Sequence, residues 1–121
     1  MTIRSDDKKA EDEAAVLAAI ATMPDKDQLI SKRLHAIITS SAPELLPRTW
    51  YGMPAYHNGS RIVCWFRSGK KFGERYMTLG FNDTAQLDEG GMWPVNFAIT
   101  ELTDEAADTV ATLIKKATRK P

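Results

Sequence analysis

The sequence predicts an α+β protein folded as a two-layer α/β sandwich, in which helices lie on one face of an antiparallel sheet of about four strands. Its 121 residues are the length of one ordinary domain. Two segments with helical periodicity precede a group of short β-prone segments and a third follows it, so the predicted order is α-α-β-β-β-β-α. The β-prone segments are joined by turns too short for the crossover that parallel strands need, which makes neighbouring strands antiparallel.

The three helices are predicted from apolar periodicity and from their end signals. Residues 1–10 are polar and are predicted to form a flexible N-terminus, which leaves residues 11–121 as the single domain. The first helix starts at Glu11 and ends before Pro24, because proline cannot continue a helix. The last helix starts after Thr103, a residue type that caps helix N-termini. The second helix has an apolar face made of Leu29, Ile30, Leu34, Ile37 and Ile38.

The strands are predicted from β-prone runs separated by turn residues. The first strand runs over residues 48–57 and is interrupted at Gly52-Met53-Pro54, since glycine and proline weaken a strand ladder. Asn58-Gly59 predicts a hairpin into the second strand, because this dipeptide favours tight hairpin turns. The remaining strands are predicted at residues 61–67, 75–81 and 97–100, and a long connection spans residues 82–96.

Composition and charge restrict the function classes. Sixteen basic and sixteen acidic residues cancel, which disfavours a partner bound by the charge of the whole molecule, so nucleic acid is not expected as a partner. Residues 48–81 nevertheless hold six Lys/Arg and one Asp/Glu, a local charge of +5. Cys64 is the only cysteine, so no intrachain disulfide can form. The charged N-terminus is unlike a secretory signal and no apolar stretch is long enough to span a bilayer, so we expect a cytoplasmic protein without membrane contact.

The sequence contains no strong catalytic motif. The patterns Gly-x-Gly-x-x-Gly, His-Glu-x-x-His and Cys-x-x-Cys are all missing. Ser68-Gly69-Lys70-Lys71 lacks the earlier glycine and the final hydroxyl residue of a phosphate-binding loop, and we interpret it as a turn. Cys64 shares the predicted core face of its strand with Ile62 and Phe66 and is interpreted as a buried structural thiol. No nucleophile and base can be placed together, so we assign no catalytic residue and do not expect an enzyme.

The most informative predicted surface is the face of the sheet opposite the helices. Period-two alternation places Ile62, Cys64, Phe66, Met77, Leu79 and Phe81 on the core face. The opposite face then carries Arg61, Val63, Trp65, Arg67, Tyr76 and Thr78. Arginine and aromatic residues are enriched in binding sites, so this face is predicted to hold a small anionic or aromatic molecule or a protein partner. The predicted site residues are Arg61, Trp65, Arg67, Tyr76 and, from the 82–96 connection, Trp93. The alternative is that the connection carrying Trp93 covers the face permanently.

The segment Trp50-Tyr51-Gly52-Met53-Pro54-Ala55-Tyr56 resembles the signature of the YdhG-like family, in which an aromatic-Gly-Met-Pro-Ala-aromatic segment starts the sheet. The similarity covers roughly residues 25–118 and includes the segment 97–103 before the last helix. The resemblance implies a sandwich likened to frataxin. Some members of the family are described as intracellular iron chaperones, so iron is the metal that the resemblance implies.

Two alternative functions follow from these observations. Iron binding of the frataxin type is attributed to an acidic helical ridge with oxygen ligands. Two acidic clusters are of that type, namely Glu11, Asp12 and Glu13 in the first helix and Asp104, Glu105 and Asp108 in the last. Acidic residues in a first helical turn are also favoured by the helix dipole, which is the structural explanation. The basic segment 48–81, with its interleaved aromatic residues, is the feature that a nucleic-acid binder would use.

Overall fold

The computed structural model describes residues 5–120, which form three α-helices, five strands and one short 3₁₀ turn. The helices are α1 (Ser5–Ala21), α2 (Asp25–Ser41) and α3 (Asp104–Ala117). The strands are β1 (Leu46–Trp50), β2 (Met53–His57), β3 (Ile62–Arg67), β4 (Met77–Phe81) and β5 (Asn96–Ile99), and the 3₁₀ turn is Lys70–Phe72. No helix in this part of the chain is long and apolar enough to cross a lipid bilayer.

The strands form one sheet in the order β1-β2-β3-β4-β5, and every neighbouring pair is antiparallel. The predicted α+β class and antiparallel sheet are confirmed. The sheet has five strands where about four were predicted, because the first predicted strand is a hairpin of two. Tyr51 (φ 51°) and Gly52 (φ 75°) both have positive φ, and Trp50 pairs with Met53 across them. This is the geometry of a two-residue type I′ turn.

The three helices share one core with a single side of the sheet. A buried cluster joins Val16 of α1, Leu34 of α2 and Ile114 of α3 to Phe66 of β3 and Leu79 of β4. All five of these side chains are completely buried. Burial of each such side chain stabilises the fold by roughly 1.5–3 kcal/mol relative to exposure. The second side of the sheet therefore faces away from the helices.

Helix α1 begins at Ser5, so the predicted start at Glu11 is wrong. Two aspartates lie in its first turn, where the helix dipole favours acidic side chains. Lys8 donates to Asp12 one turn later at 2.9 Å. These charged residues extend the helix without adding apolar periodicity, so the pattern does not reveal them. Residues 1–4 of the predicted flexible N-terminus lie outside the described residues.

A β-bulge in the β2–β3 pair changes which side chains of β3 face the core. Tyr56 pairs with Cys64, whereas the next residue, His57, pairs with Ile62, so Val63 is the extra residue. Val63 is buried within the core cluster and Ile62 is not part of it. The predicted alternation is therefore wrong for Ile62 and Val63, and it holds from Cys64 onward.

Candidate functional site

The five residues predicted to form a binding site do not lie together. Trp65 and Arg67 alternate along β3 and share the outer face of the sheet, with the Arg67 Cζ 5.9 Å from the centroid of the Trp65 ring. Tyr76 is half-buried just before β4, and Arg61 precedes the opposite end of β3. Trp93 packs against the buried core. Of the predicted set, Trp65 and Arg67 are the pair whose side chains meet on the outer face.

The 82–96 connection runs along the helix layer and not across the outer face. The Gln86 N–H donates to the Ala117 carbonyl of α3 at 2.9 Å, and Lys116 of α3 pairs with Glu89 at 2.9 Å. Two further side chains of this connection, an alanine and a leucine, belong to the buried core. The middle of the connection is therefore held beside the end of α3, while its first residue, Asn82, contacts Trp65.

Trp65 is covered instead by its own sheet. Its indole lies across Gly80 on β4, where a Cβ atom would come within 2.2 Å of the ring. The indole N–H donates to Asn82 Oδ1 at 3.1 Å. Glycine at position 80 is therefore what allows the ring to lie flat on the neighbouring strand, and Asn82, the first residue of the 82–96 connection, binds its N–H, so Trp65 is half-buried.

A concave surface of about 490 Å³ lies at the end of β3 where Arg67 is found. Its lining residues come from 19–24 at the end of α1 and in the connection to α2, from 51–54 in the β1–β2 turn and the start of β2, and from 67–72 at the end of β3 and after it. The described lining residues include the cations Arg67, Lys70 and Lys71 and no carboxylate. We call this surface the basic cleft.

Arg67 is held in a fixed position within the basic cleft. Its Nη2 donates to Glu74 Oε1 at 3.0 Å, and its Cζ lies 4.0 Å from the centroid of the Phe72 ring. Its Nε is buried and has no hydrogen-bond partner among the described residues. Leaving a buried donor unsatisfied costs about 1–3 kcal/mol.

The connection after β3 is packed closely enough to fix the position of the two cleft lysines. Ser68 Oγ donates to Asp27 Oδ2 at 2.7 Å, which ties the connection to α2. A Cβ atom at Gly69 would lie 2.3 Å from the Tyr76 carbonyl oxygen, so only glycine fits there. The exposed lysines follow at once in the 3₁₀ turn. Their backbone is therefore held at the border of the cleft while their side chains stay in solvent.

Two exposed aromatic rings also border the basic cleft. Tyr51 is 85% exposed and Phe72 is 51% exposed. The left-handed backbone of Tyr51 costs a residue with a side chain roughly 1–2 kcal/mol. Asn-Gly would form the same type I′ turn without exposing a ring. Backbone strain kept at an exposed aromatic residue is typical of a functional surface.

A separate polar array links α1, α2 and the sheet away from the cleft. His35 Nδ1 lies 2.8 Å from Tyr56 Oη, and His35 Nε2 lies 3.2 Å from Glu13 Oε1. Because a carboxylate only accepts, a neutral His35 donates from Nε2 to Glu13 and accepts the Tyr56 O–H at Nδ1. Burial raises the pKa of the Tyr56 hydroxyl far above its ordinary value and raises the pKa of the Cys64 thiol to about 12. Both groups are enclosed and protonated at neutral pH, so we assign this array to packing.

The acidic clusters considered as iron ligands do not converge. Within the part of the chain that the structure describes, no three His, Cys, Asp or Glu side chains are grouped so that they could hold a metal ion. Asp12 pairs with Lys8 at 2.9 Å, and Asp104 pairs with Arg33 at 2.8 Å. Members of both clusters thus take part in ion pairs with neighbouring cations.

Comparisons with protein-family models, with curated proteins and with solved structures found no match to this chain. The resemblance to the YdhG-like family therefore stays a prediction. Its motif, residues 50–56, spans the β1–β2 turn, and residues 51–54 line the basic cleft. The residues that carry the resemblance and the candidate site thus occupy the same end of the sheet.

Sequence patterns identify only Arg67 among the charged and aromatic cleft residues. They assign Lys70 and Lys71 to a turn, which the 3₁₀ turn bears out, but they do not show which surface the turn borders. The available signal was the +5 charge of residues 48–81, six Lys/Arg against one Asp/Glu, which contains all three cations. Tyr51 and Phe72 carry no signal of their own, because exposure of a ring depends on the fold.

Proposed function

We propose that this chain is a binding module for a small anionic ligand that also carries a planar or apolar group, held in the basic cleft. The observation that carries the proposal is the grouping of Arg67, Lys70 and Lys71 around one concave surface whose described lining contains no carboxylate. Such a surface attracts anions even though the whole chain has no net charge. Its volume of about 490 Å³ lies in the range of small-molecule sites.

Arg67 is the residue that we expect to contact the anionic group. A planar guanidinium matches the two oxygens of a carboxylate or phosphate better than an ammonium does. Contacts with Glu74 at 3.0 Å and with the Phe72 ring at 4.0 Å hold the side chain before any ligand arrives, so less entropy is lost on binding. The two lysines add positive charge through longer, flexible side chains.

Tyr51 and Phe72 supply the apolar part of the proposed contact. Their exposed rings present flat faces that a planar ligand group could stack on or edge against, and such aromatic pairs are worth about 0.5–1.5 kcal/mol beyond area burial. Trp65 supports the site from outside, since its ring lies 5.9 Å from the Arg67 Cζ. The other predicted site residues, Arg61, Tyr76 and Trp93, are left out of this proposal because they do not line the cleft.

Anion binding is preferred to the two alternatives. An iron chaperone needs oxygen or nitrogen ligands that converge on one ion, and the described residues contain no such group of three. A nucleic-acid strand needs cations that follow a backbone over several phosphates, whereas the three cleft cations surround one concavity. A small anion matches both the number and the arrangement of the charges.

Isothermal titration calorimetry with phenyl phosphate, which combines an anionic group with a ring, tests the proposal. We expect phenyl phosphate to bind more tightly than inorganic phosphate and phenol not to bind. Arg67→Gln should weaken binding about tenfold or more, because a hydrogen bond to a charged group contributes about 1.5–3 kcal/mol. Arg61→Gln is the matched control, since Arg61 is also paired with one carboxylate, Asp83 at 2.7 Å, but lies outside the cleft.

The double substitution Lys70→Gln with Lys71→Gln provides a second test, because both side chains are exposed and neither supports the core. It should weaken binding of phenyl phosphate and leave the urea midpoint of unfolding unchanged. Two results would contradict the proposal. One is an equal loss of affinity in the Arg61 and Arg67 variants, and the other is the same affinity for phenol as for phenyl phosphate.

A further inference from the structure

The two edges of the sheet differ in how they are protected. β1 carries Pro47 and Arg48, and α1 packs against it. Proline, charged side chains and a covering helix are devices that keep an edge strand from pairing with another chain. β5 (Asn96–Ile99) forms the other edge and contains neither proline nor a charged residue. Within residues 5–120 no strand pairs with its outer side, so it can serve as a template for an added strand.

The ladder between β4 and β5 shows which backbone groups are free. The Phe81 N–H donates to the Val95 carbonyl at 2.8 Å, and hydrogen-bonded pairs alternate with non-bonded pairs along an antiparallel ladder. Asn96 and Ala98 fall in the non-bonded positions, so their N–H and C=O groups point away from β4. Both residues are exposed. The outer side of β5 therefore offers donors and acceptors to solvent.

An apolar groove of about 350 Å³ runs between β5 and α3. Phe97 and Leu113 are half-buried in its walls, and Ile99, Leu102 and Val110 are buried beneath them. Side chains of a strand added to β5 alternate between the two faces of the sheet, so every second one would enter this groove.

The border of this groove between β5 and α3 carries negative charge, and we call the surface the acidic groove. Glu101 and Glu105 are exposed, and no lysine or arginine occurs among the described lining residues. Arg33 approaches from α2 but is paired with Asp104 at 2.8 Å. A second copy of the chain would bring like carboxylates together, which disfavours self-pairing. The four-residue length of β5 also suits a short segment better than a continuous sheet between two copies.

We propose that β5 and this acidic groove bind an extended segment of a partner protein by strand addition. The segment carries apolar side chains on the face that enters the groove, with lysine or arginine flanking them on the same face. Hydrogen bonds to Asn96 and Ala98 hold its backbone, while the groove and the two glutamates select its side chains. This surface shares no lining residue with the basic cleft, so a negative result for one proposal does not contradict the other.

Fluorescence anisotropy with labelled heptapeptides tests the proposal. The probe is Lys-Thr-Val-Thr-Val-Thr-Lys, whose valines and lysines share one face of a strand, and its control replaces both lysines by glutamate. We expect the lysine peptide to bind about tenfold or more tightly than the glutamate peptide, the scale of one charge-assisted contact. N-methylation of the valines and N-methylation of the threonines should differ in effect, because only one of these sets of N–H groups can face β5.

Variants of the protein test the same contacts between β5, the two glutamates and the peptide. Ala98→Pro removes an outward N–H that the β4–β5 ladder does not use, and it should weaken the lysine peptide about fivefold or more, the effect of one lost hydrogen bond. Glu101→Lys combined with Glu105→Lys should reverse the preference in favour of the glutamate peptide. This charge swap lies on exposed side chains, so it remains informative if Ala98→Pro does not fold.

Sedimentation equilibrium of the unmodified chain completes the test, and we expect a monomer that stays a monomer with the peptide bound. The proposal is overturned by equal affinity for the two peptides, by equal effects of the two N-methylation patterns, or by an unchanged preference in the charge-swapped protein. A dimer dissociated by Ala98→Pro or by the charge swap would also overturn it, because β5 would then be occupied by a second copy.

Discussion

The basic cleft and the acidic groove are opposite in charge. The cleft is lined by Arg67, Lys70 and Lys71 without a carboxylate, and the groove by Glu101 and Glu105 without a cation, among the residues that the structure describes. The whole chain has sixteen basic and sixteen acidic residues, so its net charge reveals neither surface. A net charge of zero can therefore conceal two local fields of opposite sign, which appear only when the fold assigns each residue to a surface.

The two surfaces also differ in construction. The cleft is bordered by connections between elements, and its aromatic side chains Tyr51 and Phe72 are exposed. The groove lies at the margin of the core, and the buried side chains Leu79 and Val110 form part of it. Substitutions in the cleft should therefore change ligand binding without lowering the stability of the fold, whereas substitutions in the groove should change both.

The largest expected effect is on the groove. Leu79→Ala should lower the free energy of unfolding by about 2–5 kcal/mol, because the Leu79 side chain is completely buried and its removal leaves a cavity. The control is Leu29→Ala, since Leu29 is 72% exposed on α2 and should change stability by less than about 0.5 kcal/mol. Urea unfolding followed by circular dichroism measures both. A loss of stability below about 0.5 kcal/mol for Leu79→Ala would show that the groove is not part of the core. The groove and the cleft would then not differ in how binding is related to stability.

A smaller loss of stability is expected for Trp65, on the outer face of the sheet. Trp65→Ala should cost about 2–3 kcal/mol, less than a fully buried tryptophan, because the ring is half-buried over Gly80 and makes one hydrogen bond to Asn82 at 3.1 Å. The affinity for phenyl phosphate should change by less than about threefold, because Trp65 does not line the cleft. Trp65→Phe is the control that keeps an aromatic ring. Unchanged stability together with lost binding would instead move the site onto the open face of the sheet.

The smallest change in stability, an increase, is expected for a substitution in the cleft. Tyr51→Asn should raise the free energy of unfolding by about 0.5–1 kcal/mol, because asparagine tolerates positive φ and Asn-Gly favours the type I′ turn. The same change should weaken binding of phenyl phosphate by removing a ring. Tyr51→Phe should leave both quantities unchanged. Destabilisation by Tyr51→Asn would mean that the ring supports the fold, and the separation of binding from stability would fail.

Much of the fold could be predicted where a local signal and the final packing agree. Thr103 accepts a hydrogen bond from the Ala106 N–H at 3.1 Å, as its position before a helical pattern predicts. The hairpin predicted at Asn58-Gly59 is also present, and Asn58 Oδ1 accepts from the Ser60 N–H at 3.0 Å within it. Both are decided by residues close together in the chain.

The failures arise where a structural choice is not local. The bulge at Val63 reverses the alternation of β3, and a strict period of two cannot represent an inserted residue. Trp65 can lie flat on its sheet only because Gly80 stands opposite it on β4. The basic cleft joins three connections that are distant in sequence, so charge counting located its cations but not their shared surface.

A titration of ¹⁵N-labelled protein with phenyl phosphate, followed by two-dimensional NMR of the backbone amides, locates the anion-binding surface residue by residue. We expect the largest shifts at residues 51–53 and 67–73, with Asn96–Ile99 on β5 unaffected. The side-chain Nε–H of Arg67, which has no hydrogen-bond partner among residues 5–120, should shift with them. Shifts spread evenly over exposed lysines, or shifts concentrated along β5, would contradict the claim that the basic cleft is the anion-binding surface.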